Sequence, residues 1–225
     1  MTGQGAPRYY RFLQVLAHFL LRFSFSYRSR GGRQIPLSGG VILASNHQAW
    51  MDPILLGAFC PRPLRFLARR TLFYWPLGPL IRALGAYPID REGDQREALR
   101  RTLELLAAEQ VVVIFAEGTR TRDGRLQPLR AGAAMLAARA RVPIVPAYIG
   151  GAFAAWPKGT YLPRLTGPIT VFYGQPIPVG PQPEGLSSHD YYQQIQGRLA
   201  AALADLERCY QEECAARDRR RDEPP

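Results

Sequence analysis

Residues 111–121 read VVVIFAEGTRT, five consecutive apolar residues followed directly by a polar turn that contains glycine. A short strand that is apolar at every position is typical of a parallel sheet whose two faces are both covered by helices. The alternation of such runs with segments of helical periodicity predicts an α/β fold with helices on both sheet faces. The other strand-like runs lie at residues 41–44, 64–67, 87–90, 144–149 and 169–173.

The segments between these runs carry apolar residues on one stripe, as amphipathic helices do. Two of them lie at residues 95–109 and 131–141, and a long last helix opens at Ser187 or Ser188. Charged residues dominate after Ala216, where we expect the chain to fray. The predicted organisation is an N-terminal helix in residues 1–30, one domain over residues 31–215 and a charged tail over residues 216–225.

Composition excludes several classes of protein. The chain has 225 residues, of which 47% are hydrophobic and 21% charged, and this is too apolar for a disordered chain. Its three cysteines are an odd and sparse set without a Cys-x-x-Cys pair. A disulfide scaffold and a zinc site are therefore not expected, and we expect no other metal or cofactor.

The positive charge is concentrated in the first third of the chain. Residues 1–82 hold eleven arginines and a single acidic residue, Asp52, whereas residues 83–225 hold eighteen basic and seventeen acidic residues. The formal net charge of +11 is therefore a property of the N-terminal third, which should face an anionic partner.

The N-terminal segment favours a membrane surface as that partner. Residues 9–27 read YYRFLQVLAHFLLRFSFSY, and the longest run without a charged residue is the ten residues 12–21. A spanning helix needs about 20 apolar residues, so an amphipathic helix lying in the membrane interface is the better interpretation. Two alternatives remain open, an ordinary helix that faces the core and a basic nucleic-acid surface. No nucleic-acid motif accompanies the latter, so we expect no nucleic-acid partner.

The strand-like run at 41–44 leads into SNHQAWMDP, residues 45–53. Asp52 followed by Pro53 is a helix-start signal, with Asp52 as the N-cap. His47 and Asp52 are about 140° apart on an ideal helix, so only a turn between strand and helix can bring them together. A carboxylate that holds a neutral imidazole makes a general base, although a plain loop histidine beside a capping aspartate fits the same spacing.

Three further segments follow strand-like runs. Residues 115–121, FAEGTRT, end the clearest strand, at the position where open α/β sheets bind ligands. Arginine offers a fork of donors matched to phosphate, although Arg120 in a plain solvated turn fits as well. GAYPIDR, residues 85–91, and VPIVPA, residues 142–147, are the other two segments. Taken alone, the first is a surface Asp-Arg pair and the second a strand bounded by prolines.

Together these four segments resemble the glycerolipid acyltransferases, in particular the 1-acylglycerol-3-phosphate (lysophosphatidate) acyltransferases. That family is marked by blocks N-H-x-x-x-x-D, G-x-x-x-I-D-R, F-P-E-G-T-R-S and V-P-I-V-P, which occur here in order from Asn46 to Ala147. Ala49, Ala116 and Thr121 stand where the family usually has serine, proline and serine. The resemblance implies a mixed, mostly parallel sheet flanked by helices, with residues 31–215 as the catalytic domain.

The resemblance also implies transfer of an acyl group from a thioester to the sn-2 hydroxyl of lysophosphatidate, giving phosphatidate in phospholipid biosynthesis. His47 would be the general base and Asp52 would orient it, without an acyl-enzyme. The backbone around Gly118 is a candidate oxyanion site. The remaining expected substrate-binding residues are Thr119, Glu117, which supports the loop or positions the acceptor, and Arg91 and Arg120, which hold the phosphate.

Several alternatives remain open from sequence. The acceptor can be another lysophospholipid or an amino-acid-containing lyso-lipid, and the donor acyl-CoA or acyl-carrier protein. A lipid hydrolase is disfavoured because no G-x-S-x-G occurs. A non-catalytic, basic membrane-binding module would leave the His47 and Glu117 segments unexplained. The expected location is the cytoplasmic face of a membrane, as a peripheral or monotopic protein.

Overall fold

Seven strands form a single sheet in the order β1-β7-β6-β2-β5-β3-β4. The computed structural model describes residues 7–89, 95–160, 162–165 and 167–222. In these residues the strands are β1 (Arg28–Arg30), β2 (Val41–Ser45), β3 (Leu64–Arg69), β4 (Ala86–Ile89), β5 (Val111–Phe115), β6 (Ile144–Gly150) and β7 (Thr170–Tyr173). The helices are α1 (Arg8–Phe25), α2 (Asp52–Gly57), α3 (Leu77–Ala83), α4 (Gln95–Ala107), α5 (Gly132–Ala140), α6 (Ala152–Ala155) and α7 (Ser188–Asp222).

Five neighbouring strands, β6, β2, β5, β3 and β4, run parallel to one another. β7 pairs antiparallel with β6, and β1 pairs parallel with β7, so these two strands run the opposite way. The sheet is therefore mixed and mostly parallel, which confirms the predicted fold class. The central strands β2 and β6 are buried at every position, as their unbroken apolar runs predicted.

Helices cover both faces of the sheet and enclose one core on each. The first core gathers side chains of α1, α2 and α6, with Phe73 and Ile81 packed against it. The second core gathers side chains of α4, α5 and α7. Because both faces are covered, the chemistry is left to the loops at the strand ends.

Helix α1 lies on the first face but turns most of its large side chains outward. Only Tyr10, Leu21 and Phe25 of this helix are buried. The exposed large apolar side chains are Tyr9, Phe12, Val15, Leu16, Phe19, Leu20 and Phe23. The core-facing interpretation of this segment therefore explains only a minority of its apolar residues. Among the described residues, no helix combines the length and the apolar character needed to cross a bilayer.

The structure differs from the sequence predictions at both ends. Residues 28–30 form strand β1 rather than the end of the N-terminal helix. This strand reads RSR, so nothing in its own side chains predicts it, and its pairing with β7 creates it. Helix α7 continues past Ala216 to Asp222, where a frayed tail was expected. An i,i+4 pair of Glu213 and Arg217, 3.5 Å apart, supports this last part of the helix.

Candidate active site

The loops that follow β2 and β5 meet at the carboxyl edge of the sheet. These two strands are neighbours, and Ser45 at the end of β2 is paired with Phe115 at the end of β5. His47 and Glu117 each follow two residues later, so the register alone places the two predicted segments side by side. This is the edge at which open α/β sheets bind ligands.

His47 and Asp52 form a hydrogen-bonded pair. The Nδ1 atom of His47 lies 2.7 Å from Oδ2 of Asp52, and Asp52 is fully buried. The same oxygen accepts the backbone N–H groups of Gln48 at 2.6 Å and Ala49 at 2.9 Å. This oxygen already accepts two backbone N–H groups, and in the tautomer that suits a carboxylate acceptor Nδ1 carries the proton and Nε2 is left without one.

The helix start differs by one residue from the prediction. Asp52 was expected as the N-cap of α2, but Met51 holds that position and Asp52 is the first helical residue. The Asp52 side chain turns back to the N–H groups of Gln48 and Ala49 rather than forward into the helix. These bonds close the turn that sequence spacing required between His47 and Asp52.

The second loop holds the main chain of His47 from both sides. The N–H of His47 donates to Oε1 of Glu117 at 3.0 Å, and the carbonyl of His47 accepts the N–H of Thr121 at 2.8 Å. The imidazole stacks on the ring of Phe115, with the two centroids 3.8 Å apart and the planes 12° from parallel. The loop after β5 therefore fixes both the backbone and the ring plane of His47.

Glu117 is a buried carboxyl with a strongly raised pKa. It is 3% exposed, and burial raises its pKa from 4.5 to about 7. The backbone N–H groups of His47 and Gln127 act against this shift, whereas the nearby carboxylates of Asp52 and Asp123 add to it. Glu117 is thus a carboxyl with a pKa of about 7 that accepts the backbone N–H of His47.

Gly118 and Thr119 form the exposed tip of this loop. The N–H of Gly118 donates to the carbonyl of Phe115 at 2.9 Å, so this one group is engaged within the turn, and an oxyanion site in the backbone around Gly118 stays a prediction. Its backbone angle φ is +71°, and a Cβ at this position would lie 2.7 Å from the side chain of Arg130. Glycine is favoured here because the turn places this residue in the left-handed region of the backbone.

Arg120 points its guanidinium into the same region. Its Cζ atom lies 4.0 Å from the centroid of the Trp50 ring, and its Nη1 atom is buried without a hydrogen-bond partner among the described residues. Burial lowers the pKa of Arg120, and the charge of Arg69 acts in the same direction, whereas Asp52 opposes it. Arg91, the second predicted phosphate ligand, lies outside the described residues.

Sequence reasoning missed Arg69 because the strand was predicted to end at Leu67. Strand β3 continues to Arg69, which pairs in register with Ile89 at the end of β4. Arg69 thus reaches the carboxyl edge of the sheet, close enough to Arg120 to act on its pKa. The signal available in the sequence was the Arg69-Arg70 pair directly after an apolar run.

Residues 26–150 of the chain match the family described as Acyltransferase. This is more than half of the chain, and it includes both loops of the site. The chain belongs to the acyltransferase family. The match confirms the resemblance stated from the sequence motifs and makes this protein an enzyme of acyl transfer.

Three relatives of this chain are all named as 1-acyl-sn-glycerol-3-phosphate acyltransferases. The chain is 29% identical to the 1-acyl-sn-glycerol-3-phosphate acyltransferase of Bacillus subtilis over 145 residues, 63% of this chain and 71% of that protein. It is 33% identical to the protein of the same name from Limnanthes douglasii, over 60% of this chain and 50% of that protein. For the human alpha form the figures are 32%, 59% and 48%. The chain thus spans about half the length of these two eukaryotic relatives.

A solved structure is also similar. The crystal structure of the 1-acyl-sn-glycerophosphate acyltransferase PlsC from Thermotoga maritima matches this acyltransferase with a TM-score of 0.65 and 25% identity. The match covers 88% of this chain and 79% of that chain. The likeness extends over nearly the whole fold, well beyond the matched family segment.

Two side-chain amides that the sequence analysis did not single out hold the site together. Asn46 receives the N–H of Ile149 at 2.8 Å and donates to its carbonyl at 2.9 Å, so it extends the pairing of β2 with β6. Gln48 donates to the carbonyl of Gly124 at 3.1 Å and accepts the N–H of Phe153 at 3.1 Å. These bonds tie the His47 loop to its neighbours on both sides.

Three residues of this acyltransferase differ from the family motifs, and none of them belongs to the exposed tip formed by Gly118 and Thr119. Ala49 is buried in the first core, and Ala116 in the second. The hydroxyl of Thr121 accepts the N–H of Gly124 at 3.1 Å and donates within the same turn. These residues shape the backbone of the two loops. Among the described residues, no group of three or more His, Cys, Asp and Glu side chains could hold a metal ion.

Proposed function

We propose that this chain transfers an acyl group from a thioester to the sn-2 hydroxyl of 1-acylglycerol-3-phosphate, giving phosphatidate. The observation that carries the proposal is the buried Asp52 carboxylate 2.7 Å from Nδ1 of His47, directly beside the loop that bears Arg120. A base and an anion-binding group at one sheet edge fit a substrate with a hydroxyl close to a phosphate.

The reaction follows from the tautomer of His47. Nε2 takes the proton of the acceptor hydroxyl while its oxygen attacks the thioester carbonyl carbon, and a tetrahedral oxyanion forms. Asp52 stabilises the imidazolium that results. The carbon–sulfur bond then breaks, the imidazolium returns the proton to the leaving thiolate, and the products are the new ester and a free thiol. No acyl-enzyme is required.

The arginines are proposed to bind the acceptor phosphate. Arg120 has a buried Nη1 without a partner among the described residues, and a phosphate oxygen would satisfy it. Arg69 adds positive charge at the same edge, and Arg91 remains a predicted third contributor. Glu117 is proposed to position His47 through its backbone, and Gly118 and Thr119 to contact substrate at the exposed tip.

The acceptor is a membrane lipid, and the outer face of α1 supports enzyme attachment to a membrane surface. Its exposed apolar side chains lie among exposed arginines, Arg8, Arg11 and Arg22, a pattern typical of helices in the interface of anionic membranes. We propose a peripheral or monotopic location on the cytoplasmic face. Acyl-CoA and acyl-carrier protein are both proposed as possible donors, and no further cofactor is required.

The test is an acyl-transfer assay of the purified chain with a panel of acceptors. Lysophosphatidate, lysophosphatidylcholine, lysophosphatidylglycerol and a lyso-amino-acid lipid are offered in turn with acyl-CoA and with acyl-carrier protein. We expect ester formation with lysophosphatidate and release of one free thiol per ester. Equal rates with an acceptor that lacks a phosphate monoester would contradict the proposed substrate.

His47→Ala is expected to lower kcat by about 10²- to 10⁴-fold, the usual contribution of a general base. His189→Ala is the matched control, because His189 is exposed at the start of α7 and should leave the rate unchanged. Far-ultraviolet circular dichroism checks that both variants fold. Near-normal turnover of His47→Ala would refute the assignment of the base.

A further inference from the structure

An exposed aromatic loop follows strand β3 after a short 3-10 turn, Arg70–Leu72. Residues 73–76 read FYWP and lead into α3. The side chain of Trp75 is 84% exposed, that of Tyr74 59%, and Leu80 on the outer side of α3 is 47% exposed. Most of the Trp75 side chain and more than half of the Tyr74 side chain therefore remain uncovered, which indicates contact with something outside the described part of the chain.

The loop is built so that these two rings point outward. Phe73 packs against the first core, and the guanidinium of Arg82 lies 5.3 Å from the centroid of its ring. The N–H of Gly78 donates to the carbonyl of Tyr74 at 2.5 Å. A Cβ at residue 78 would lie 2.6 Å from the carbonyl oxygen of Phe73. The turn is thus closed tightly beneath Tyr74 and Trp75, and the rings are presented on a fixed support.

The charge around the loop identifies the kind of partner. Residues 66–89 contain three arginines and no aspartate or glutamate. Arg69 and Arg70 precede the aromatic residues, and Arg82 follows them. Aromatic side chains flanked by cations match the interface of a bilayer that contains anionic lipids, where rings settle at the headgroup level and arginines meet phosphates. A soluble acidic protein would not need the apolar rings.

The position of the loop relates it to both the site and α1. It follows the carboxyl end of β3, which pairs with β5, the strand that leads to Glu117. Leu84, the first residue after α3, lines a small cleft together with Leu13 and Ala17 of α1. The end of α3 therefore lies close to α1, and the aromatic loop lies at the carboxyl edge of the sheet that also bears the site.

We infer that Tyr74, Trp75 and Leu80 form a second membrane contact that inserts into an anionic bilayer and holds the His47 edge against it. The inference rests on the proposed action on a membrane lipid, but the contact itself does not depend on the reaction. With α1 alone, the molecule can rotate about the helix axis on the surface. A second contact beside the site fixes the orientation in which a lipid acceptor reaches His47.

The experiment compares Trp75→Ser with Leu37→Ser in the full chain. Leu37 is 77% exposed but lies near the amino edge of the sheet, where its neighbour Pro36 accepts a bond from Arg62. Binding is measured by co-sedimentation with vesicles of phosphatidylcholine that contain about a third phosphatidylglycerol. We expect about tenfold weaker binding for Trp75→Ser and unchanged binding for Leu37→Ser, since affinity scales with the apolar area inserted.

A depth measurement gives a second readout. Bromine-labelled lipids should quench tryptophan fluorescence of the bound protein, and Trp75→Phe should remove most of the quenched signal while it keeps vesicle affinity. The melting temperature of each variant in solution should equal that of the wild type. Equal binding by Trp75→Ser and Leu37→Ser, or no loss of quenching in Trp75→Phe, would overturn the inference.

The outcomes separate this inference from the proposed function. If Trp75→Ser loses vesicle binding and the wild-type chain acylates no acceptor, the membrane contact is supported and the proposed reaction is contradicted. For an active enzyme, Trp75→Ser should slow acylation of lysophosphatidate held in vesicles and leave the rate with a short-chain, monodisperse acceptor unchanged. A dimer in solution that dissociates in Trp75→Ser, with vesicle affinity unchanged, would instead assign the loop to self-association.

Discussion

Three buried polar atoms of the site have no hydrogen-bond partner among the described residues: Oδ1 of Asp52, Oε2 of Glu117 and Nη1 of Arg120. Buried polar groups in folded proteins nearly always have partners, and exceptions gather where a ligand completes the set. The charges of Asp52 and Arg120 attract each other, yet their free atoms do not meet. At the scale of single residues, Nη1 of Arg120 is therefore left to bind an anionic oxygen of a ligand, whereas the carboxyl oxygens are left to accept a hydrogen bond from one.

Substitution of Arg120 tests this arrangement. Arg120→Lys should impair the enzyme although it conserves the charge, since an ammonium cannot make two parallel bonds to a phosphate and fits the Trp50 ring less well. Loss of one charge-assisted hydrogen bond, worth about 1.5–3 kcal/mol, corresponds to about 10- to 100-fold in kcat/KM. Steady-state kinetics with acceptor and donor varied separately should place the effect on the acceptor.

Arg122→Ala is the matched control, because Arg122 lies two residues further along the same loop and is exposed. It should leave both kinetic constants close to those of the wild type. If Arg120→Lys changed acceptor and donor constants equally, or changed neither, Arg120 would not be the phosphate ligand.

Glu117 provides a prediction for stability against pH. Its pKa rises from 4.5 in the unfolded chain to about 7 in the folded protein, so the folded state holds the proton more tightly. The cost of the buried charge is absent below pH 4.5, grows as the pH rises from 4.5 to about 7 and is fully present above that. Glu117→Gln removes this cost and keeps an oxygen for the N–H of His47. Its stability relative to the wild type should be about 2–3 kcal/mol higher at pH 8 than at pH 5.

Urea denaturation of the two proteins at pH 5 and pH 8 gives the comparison. A difference between them that does not change with pH would mean that Glu117 is ionised in the folded protein at both values.

Elements differ in how far the sequence predicted them. β2 and β5 were predicted because strands buried on both faces show as unbroken apolar runs, and the turn between His47 and Asp52 because their spacing fits no regular helix. The residues that bind the loops together were not predictable. Asn46 bonds Ile149 and Gln48 bonds Phe153, contacts more than 100 residues apart that leave no local pattern. Short elements such as β1 exist only through their partners.

Helix α1 is an element with two different sides, and substitutions can separate them. The triple variant Phe12→Ser, Phe19→Ser and Phe23→Ser alters side chains that are at least 67% exposed. It should weaken binding to anionic vesicles by at least tenfold, through the loss of insertable apolar area, and leave the melting temperature unchanged. Vesicle co-sedimentation and thermal unfolding are the two measurements.

The opposite side of α1 supplies the control. The hydroxyl of Tyr10 accepts the N–H of Leu64 at 3.1 Å, and Gln14 donates to the carbonyls of Gly57 and Cys60 at 2.7 Å. Tyr10→Phe should destabilise the protein by about 1 kcal/mol and leave vesicle binding intact. If the triple variant bound vesicles as well as Tyr10→Phe does, α1 would be only a structural helix.

The whole molecule has two unlike faces. α1 and α3 cover one, with arginines that have few acidic neighbours in sequence, whereas α4, α5 and α7 cover the other and mix both signs. On α4, Arg100 and Arg101 both pair with Glu104. A net charge that resides on one face orients a protein towards an anionic surface before any apolar contact forms.

Removing two arginine charges from one face and, separately, two from the other tests whether this asymmetry governs binding to anionic vesicles. Arg8→Gln with Arg11→Gln takes two charges from the α1 face, and Arg139→Gln with Arg141→Gln takes two exposed charges from the end of α5 on the other face. Each arginine near an anionic bilayer contributes about 1 kcal/mol, so the first pair should weaken binding to anionic vesicles by at least tenfold at low salt. The second pair should have little effect.

The dependence of vesicle binding on salt concentration provides a second test, because electrostatic attraction is screened over about 10 Å at 0.1 M and about 3 Å at 1 M ionic strength. Wild-type affinity for anionic vesicles should fall steeply as salt rises and level off at the part contributed by apolar insertion. The variant of the α1 face should begin near that level and show the shallower slope. The α5 variant should follow the wild-type curve throughout. Two variant curves that coincide would mean that total charge, rather than the face that carries it, governs attachment to the membrane.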